Sequence, residues 1–559
     1  MGSRFRPMAS SFRSTKLFGL GLLLVAAAAT PGLVHCGSAK DRTGVEDEWG
    51  IPGTDPTGFL PGGDGGPDSS PPVDKCVVPA DNDNGGALEC TQSSPPNAFA
   101  PVTKWSWKST EVLGGFVGSM TSPLVANMTD DNGDGKINLC DVPDVIVTIG
   151  GNPGKIVMLS GDKGQLEVTF DGNVLGWVNP ALGDIDGDGI PEVVATDTTS
   201  HVVAYDNKGK IKWTSAQAIN QNGNGGMPQG CHAMSIYDLD GDGKPEIIAS
   251  YDVFSNTGAF LFGHTSTASR WCQTTTAADL DGDGKLEVIF GNAAYHANGT
   301  KYWDIGGPAA QPHVANLDKD PEPEIFLARE DGLLVLEHDG KIKFGPVKPT
   351  GSGNSQACWT KPAAIHDFDG DGIADISAST CNGYGVYGVT DTGLTLKWEN
   401  KQVQDGSGSA SNTAFDFLGR GIAQAIYGDE KSLWVFDGKT GAVASGFPTA
   451  RISATIIEYP VVADVDNDSS ADIIVVSFAS SASEPSYKST VEVFEDAQKR
   501  WIPTRRIWNQ HSYHVTNVRE DGTIPRVMKK SWQGLNTFRT NTQVNGGGDC
   551  RPPPPNPPK

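Results

Sequence analysis

Asp184-Ile-Asp186-Gly-Asp188-Gly-Ile190-Pro-Glu192 decides the reading of this 559-residue chain, because it recurs. It returns as Asp238-Leu-Asp240-Gly-Asp242-Gly-Lys244-Pro-Glu246 and as Asp279-Leu-Asp281-Gly-Asp283-Gly-Lys285-Leu-Glu287. The same spacing appears at Asp367, Asp369, Asp371, Ile373 and Asp375, and at Asp464, Asp466, Asp468, Ser470 and Asp472. Each copy lies between short apolar runs, such as Val193-Val-Ala and Ile473-Ile-Val-Val. Acids at alternate positions of a tight turn converge their oxygens on one point, which suits a hard cation. The carbonyl at the seventh position and the acid at the ninth complete the cage, and glycine at the sixth lets the backbone turn around the ion. One acidic turn of this kind reads as a solvated hairpin. Five with one ligand spacing read as calcium sites.

Weaker copies fill the gaps. Asn316-Leu-Asp318-Lys-Asp320-Pro-Glu322-Pro-Glu324 keeps its oxygen ligands but has Pro321 in place of glycine, so weaker binding is expected. In Asp416-Phe-Leu418-Gly-Arg420-Gly-Ile-Ala-Gln424 the third and fifth acids are lost, and Arg420 is expected to pair with Asp416 instead of a metal. The first copy is interrupted: Asn127 aligns with Asp464 and Asp144 with Asp472. The insertion places Asp130, Asn132, Asp134, Lys136, Asn138 and Asp141 at positions 1, 3, 5, 7, 9 and 12, with Gly135 at 6, which is the EF-hand spacing. Asp141 stands where a longer glutamate is usual. The sequence therefore predicts about six to seven calcium ions.

The first-ligand positions lie 57, 54, 41, 37, 51, 49 and 48 residues apart, room for four short strands and their turns. Third strands end in acid–glycine turns, as at Leu433-Trp-Val-Phe-Asp-Gly438, and fourth strands follow, as at Lys210-Ile-Lys-Trp213, Lys341-Ile-Lys-Phe344 and Leu394-Thr-Leu-Lys-Trp398. No long helical periodicity is present, and 69 glycines with 37 prolines suit dense turns. The expected fold is an all-β propeller of about eight four-stranded blades, or seven if the shortest unit after Asp279 is incomplete. Lys104-Trp-Ser-Trp107 looks like a fourth strand that closes the ring with the last blade.

Over residues 101–502 these motifs resemble the FG-GAP/VCBS repeats of calcium-binding β-propellers, found in integrin α-chain heads and bacterial surface proteins. The Phe-Gly and Gly-Ala-Pro hallmarks of integrin repeats are mostly absent, so the resemblance is nearer the bacterial variant. It implies that the acids above ligate calcium between the first two strands of each blade. It also implies a recognition face on the opposite side, with loops around Trp271, Tyr295, His296, Arg329, Trp359 and Tyr384.

Arg4, Arg6, Arg13 and Lys16 precede an apolar stretch at 17–29, too short to span a bilayer, which reads as a secretory signal. Leu33-Val-His-Cys36-Gly resembles a lipobox with Cys36 lipidated; cleavage near residues 27–29 is the alternative, since His35 replaces a small residue. Residues 37–100 read as a Gly/Pro/Asp-rich tether with a small cysteine loop, so the protein is expected at the outer membrane or cell surface. Removing Cys36 from nine cysteines leaves eight, enough for four disulfides. Cys358 with Cys381 and Cys231 with Cys272 are the expected pairs; Cys76, Cys90, Cys140 and Cys550 allow three pairings.

The net charge of −24 argues against nucleic acid as a partner. After residue 502 the pattern changes to a segment at 503–550 with Arg505, His511 and His514 beside Trp508, Tyr513 and Trp532, then a Pro-rich tail at 551–559. The cluster reads either as packing for the closing blade or as a sugar or acid/base site. Two functions stand open. One is a surface binding or adhesion module for a polysaccharide or protein. The other is a glycan-degrading enzyme resembling rhamnogalacturonan lyases, with Arg270, Arg329, His232, His313 and Lys361 as candidate contributors.

Overall fold

A computed structural model describes residues 76–78, 88–95, 98–113, 117–219, 231–265, 272–349, 358–545 and 548–551. The signal segment, Cys36, most of the tether, Arg270, Trp271 and the tail beyond 551 lie outside the described residues. No helix among the described residues is long and apolar enough to cross a membrane.

Eight four-stranded antiparallel blades form a ring, the sheet of the third being extended to six strands by parallel pairing with Val178–Asn179 and Cys272–Gln273. Blade 1 runs Leu124–Ala126, Asp144–Gly150, Gly154–Ser160 and Leu166–Thr169 from the centre outwards. The first strands of blades 2 to 8 are Ala181–Gly183, Cys231–Tyr237, Thr276–Ala278, Ala310–Ala315, Ala364–His366, Asn412–Phe415 and Val461–Ala463. The shortest unit is complete, because blade 4 has four strands of three or four residues ending at Lys301–Asp304.

Second strands such as Asp144–Gly150 and Asp472–Val476 are buried along their whole length, which explains their unbroken apolar runs. Both of their faces pack against neighbouring blades, as parallel-type buried strands do. Fourth strands face solvent, and Ile211–Ala218 alternates accordingly. Their aromatics lock each blade to the next. Trp213 of blade 2 lies under Gly258 of blade 3, where a Cβ would meet the ring at 2.7 Å, so only glycine fits. Blade 8 is completed by Pro101–Trp107, which pairs antiparallel with Val491–Asp496. Trp105 on that strand packs against Gly164 of blade 1 and donates to the Gly161 carbonyl at 2.6 Å, closing the ring.

Four disulfides pair Cys76 with Cys140, Cys90 with Cys550, Cys231 with Cys272 and Cys358 with Cys381. Cys231 and Cys272 are parallel partners at the start of blades 3 and 4, where neighbouring strands converge to 4.4 Å between Cα atoms.

The segment after residue 502 does not pack the closing blade alone. It runs through the centre of the ring and meets the first strand or first loop of every blade. Trp508 exchanges two backbone hydrogen bonds with Val125, each 2.9 Å. Leu182 donates to the Asn509 carbonyl, and Ile236 to the Gln510 side chain. Trp532 joins the apolar cluster of Ala278 and Leu280, and Asn536 exchanges hydrogen bonds with Asn316. Phe538 pairs with Ile365, the Arg539 carbonyl accepts from Thr413, and Asn541 donates to Val462. A first strand is a sheet edge with unpaired backbone groups, and buried groups of that kind must find partners. The C-terminal segment supplies them.

Candidate metal centres

Each first strand ends in the acidic loop, and one hydrogen bond repeats around the ring. The ninth-position side chain accepts the backbone N–H of the second residue: Asp144 from Met128, Glu192 from Ile185, Glu246 from Leu239 and Glu287 from Leu280. Glu324 does the same for Leu317, Asp375 for Phe368, Gln424 for Phe417 and Asp472 for Val465. Neutral Gln424 suffices, so this position locks the turn whether or not it meets an ion. The first-position acid holds the other side. Asp184 accepts from Gly187 and Gly189 at 2.7 and 2.9 Å, and Asp238 from Gly241 and Gly243 at 2.8 Å.

These bonds leave other acid oxygens converging. Asp184, Asp186 and Glu192 offer atoms within 4.8 Å of one another, as do Asp238, Asp240 and Asp242; Asp279, Asp281 and Asp283; and Asp318, Asp320 and Glu324. Burial, which disfavours the charged carboxylate, pushes Glu192, Glu246 and Glu324 up to about 7, and Asp375 and Asp464 likewise. Asp279 is 7% exposed and its Oδ1 has no hydrogen-bond partner. The oxygen-only donor set fits a hard divalent cation such as calcium.

Fourth-strand lysines enter four of the cages, while Lys244 and Lys530 touch single acids of two others, Asp242 at 3.2 Å and Asp279 at 3.3 Å. Lys212 binds Asp186 and, at 2.7 Å, Glu192. Lys343 binds Asp318 and, at 3.1 Å each, Glu324 and Glu337. Lys397 reaches Asp369, Asp371 and Asp375 at 2.7, 3.1 and 2.9 Å. Lys104 of the closing strand binds Asp466, with Asp472 at 3.4 Å and Glu495 at 3.1 Å. Burial lowers the affinity of Lys104 for its proton, yet the surrounding carboxylates outweigh it and hold the group above its usual range. Sequence reading places these lysines on fourth strands without showing where they point.

In the inserted loop, Asp130 accepts from Asp134 and Gly135, and Asn132 from Asp134. Asp141 accepts from Asn132 and Asn138, and the Cys76–Cys140 disulfide anchors the loop. Blade 7 differs from the expectation. Asp416 accepts the backbone N–H groups of Arg420 and Gly421, but the guanidinium donates to the Ser94 carbonyl at 2.7 Å. The N-terminal segment passes close by and offers a carbonyl, while backbone groups already satisfy Asp416.

Several other candidates change place. His296 belongs to the acid rim, with Nδ1 2.9 Å from Glu287, because the third-to-fourth turn lies at the same end of the sheet as the first-to-second. Trp359 and Tyr384 are 3% and 0% exposed, so neither can anchor a ligand on an outer face. Arg329 is buried and bound to Asp331 at 2.7 Å. His232, His313 and Lys361 are also buried, on different blades or their connections, and form no shared site; Lys361 pairs with Asp405 at 2.6 Å.

The central histidines are structural. His313 Nε2 accepts from Ala363 at 2.8 Å and its Nδ1 meets the Phe326 carbonyl at 3.1 Å, an arrangement only the neutral ring satisfies. His511 faces the Ile457 carbonyl. His514 lies against Tyr237 and Phe538, and burial lowers it to about 4. A histidine lowered on folding contributes stability that is complete above its unfolded value near 6.5 and declines as pH falls towards 4. At pH 5, His514 alone should cost about 2 kcal/mol, with His313 and His511 acting in the same direction. Melting temperature in saturating calcium should therefore drop between pH 7 and pH 5, and less so in His514→Phe. Equal drops in both proteins would dismiss the assignment.

Residues 184–249 match the family model described as FG-GAP-like repeat. No curated protein matches the chain. Among solved structures, the V. cholerae biofilm matrix protein Bap1 is similar at a TM-score of 0.65 and 22% identity, covering 80% of this chain and 99% of that one. The exotype rhamnogalacturonan lyase YesX aligns with a TM-score of 0.48 and 16% identity, over 82% of this chain and 83% of its own. Rhamnogalacturonan lyase YesW gives 0.48 and 18%, over 82% and 84%. The chain is an eight-bladed β-propeller, and the repeated acidic hairpins and the matched repeat support an FG-GAP-type propeller.

Proposed function

We propose that the protein is a calcium-stabilised extracellular propeller acting as a binding or adhesion module at the cell surface, for a polysaccharide or a protein partner. The observation that carries this reading is the set of oxygen-only acid cages repeated around an otherwise rigid ring. Cages of this kind supply shape, and the propeller supplies a surface. The biofilm matrix role printed for Bap1 supports a matrix or surface setting for a chain of the same fold. The signal pattern, Cys36 and the Gly/Pro/Asp-rich stretch at 37–74 support attachment through a lipid with the propeller held clear of the membrane.

A polysaccharide array probed with the purified protein in ~1 mM calcium, then in chelator, tests the reading. Binding is expected in calcium and lost without it. Each occupied site of extracellular affinity contributes about 1.4 kcal/mol under these conditions, so the melting temperature should fall on chelation. Ultraviolet-absorbing unsaturated products released from any array member would instead establish lyase chemistry. An unchanged melting curve on chelation would remove calcium from the account.

A further inference from the structure

The fourth strand of seven blades carries a β-bulge, and in blades 2, 5, 6 and 8 the bulged residue reaches the acid cage of its own blade. In blade 2 the register shifts between Ala204↔Trp213 and Tyr205↔Ile211, leaving Lys212 unpaired. The same shift isolates Lys343 between Phe344 and Ile342, Lys397 between Trp398 and Leu396, and Lys104 between Thr103 and Trp105. A bulge re-aims a side chain, and here it turns an outer-strand residue towards the loop. In blade 3 the bulged residue is Leu261, in blade 4 it is Tyr302, and in blade 1 it is Glu167. The position is therefore cationic in blades 2, 5, 6 and 8, neutral in blades 3 and 4, and acidic in blade 1.

We propose that the bulge lysines are built-in counter-cations, and that calcium enters only cages whose bulge position lacks one. This rests on the calcium reading above and sorts its sites. The lysine ammonium sits among two to four carboxylate partners, where a metal ion would need to be, and two cations cannot share that point. Lys104 and Lys343 are 8% and 10% exposed, with little room to withdraw. The cage of blade 3 has no bulge lysine, only the exposed Lys244 at 3.2 Å from Asp242. That of blade 4 has none either, with Lys530 at 3.3 Å from Asp279 and His296 at 2.9 Å from Glu287, each about a third exposed on its rim. With the inserted loop of blade 1, these are the metal sites.

Elemental analysis of the full chain after gel filtration in buffer that holds ~1 mM calcium, with the buffer's own calcium subtracted, should give about three ions per chain. Lys343→Met and Lys397→Met should each gain about one ion, whereas Lys397→Arg should gain none. In chelator both methionine variants should melt below the wild type, and calcium should close the gap. A second pair of variants does not depend on the lysines: Asp240→Ala should lose about one ion and Asp369→Ala none. About seven ions in the wild type would mean that calcium displaces the lysines, overturning this sorting while leaving the calcium reading intact. Folded methionine variants with an unchanged count would also overturn it. No ion in any variant would overturn the calcium reading itself.

Discussion

Ending the chain after Ile502 should leave no folded propeller, although all eight blades would still be encoded. The missing segment carries Trp508 and Tyr513, both 0% exposed, together with buried Phe538 and Trp532. Burying one such aromatic contributes about 2–3 kcal/mol, and the whole stability of a domain is about 5–15 kcal/mol. Truncation would also strip hydrogen-bond partners from the first strands of blades 1, 2, 3, 5, 6, 7 and 8. Loss of Cys550 would free Cys90 as well. Soluble yield, gel filtration and far-ultraviolet circular dichroism measure the outcome. A compact, soluble 1–502 chain with a β spectrum would show that the blades close without their central segment.

Arg539→Ala should cost about 3–5 kcal/mol in urea denaturation, large for one residue. Arg539 is fully buried at the centre of the ring, and no carboxylate pairs with it among the described residues. Its Nε donates to the His511 carbonyl at 3.1 Å and its Nη1 to the Ala363 carbonyl at 3.0 Å, with the guanidinium 5.0 Å from the Phe538 ring. Burial pulls its pKa down to about 10, with Tyr459 and Tyr237 acting against that. One side chain thus ties the segment to blade 6 and to itself. Alanine would remove the guanidinium's donor from the Ala363 carbonyl and leave the His511 carbonyl with the Tyr459 hydroxyl alone, around a cavity. Arg539→Met should fall between the two, restoring volume but not the bonds. A loss below about 1 kcal/mol in Arg539→Ala would mean water replaces the guanidinium.

Much of the ring was legible because each blade repeats one local problem. Asp184 to Glu192 must turn between two apolar strands, and that requirement writes the same residues at the same spacing each time. Lys104-Trp-Ser-Trp107 was recognisable as a displaced fourth strand because it copies Lys212-Trp213 and Lys397-Trp398. The central segment was not legible, since it meets each blade through a different group: a backbone pair at Val125, a side-chain amide at Asn316, a hydroxyl at Thr413. No period survives in such a list. The lysines were visible on their fourth strands, but their direction was not, for a different reason. Strand alternation sets Lys212 and Trp213 on opposite faces, and only the bulge, which leaves no mark in the sequence, brings Lys212 to Glu192. Arg420 was misread because Ser94, its acceptor, is 326 residues away in the chain.

The strand at Pro101–Trp107 has a consequence for how the molecule comes into being. It is synthesised before any blade, yet its partner Val491–Asp496 arrives almost 400 residues later, and the Cys90–Cys550 bond must wait longer still, with a sequence separation of 460. At ribosomal rates of about 5–20 residues per second, the early strand stays unpaired for tens of seconds. A nascent ring is thus an open arc with a sticky edge at each end and an empty middle, so assembly is a late, concerted event that favours release of the whole chain first. Slowing translation should give the cell no benefit, whereas a holdase that shields the waiting strand should raise the yield.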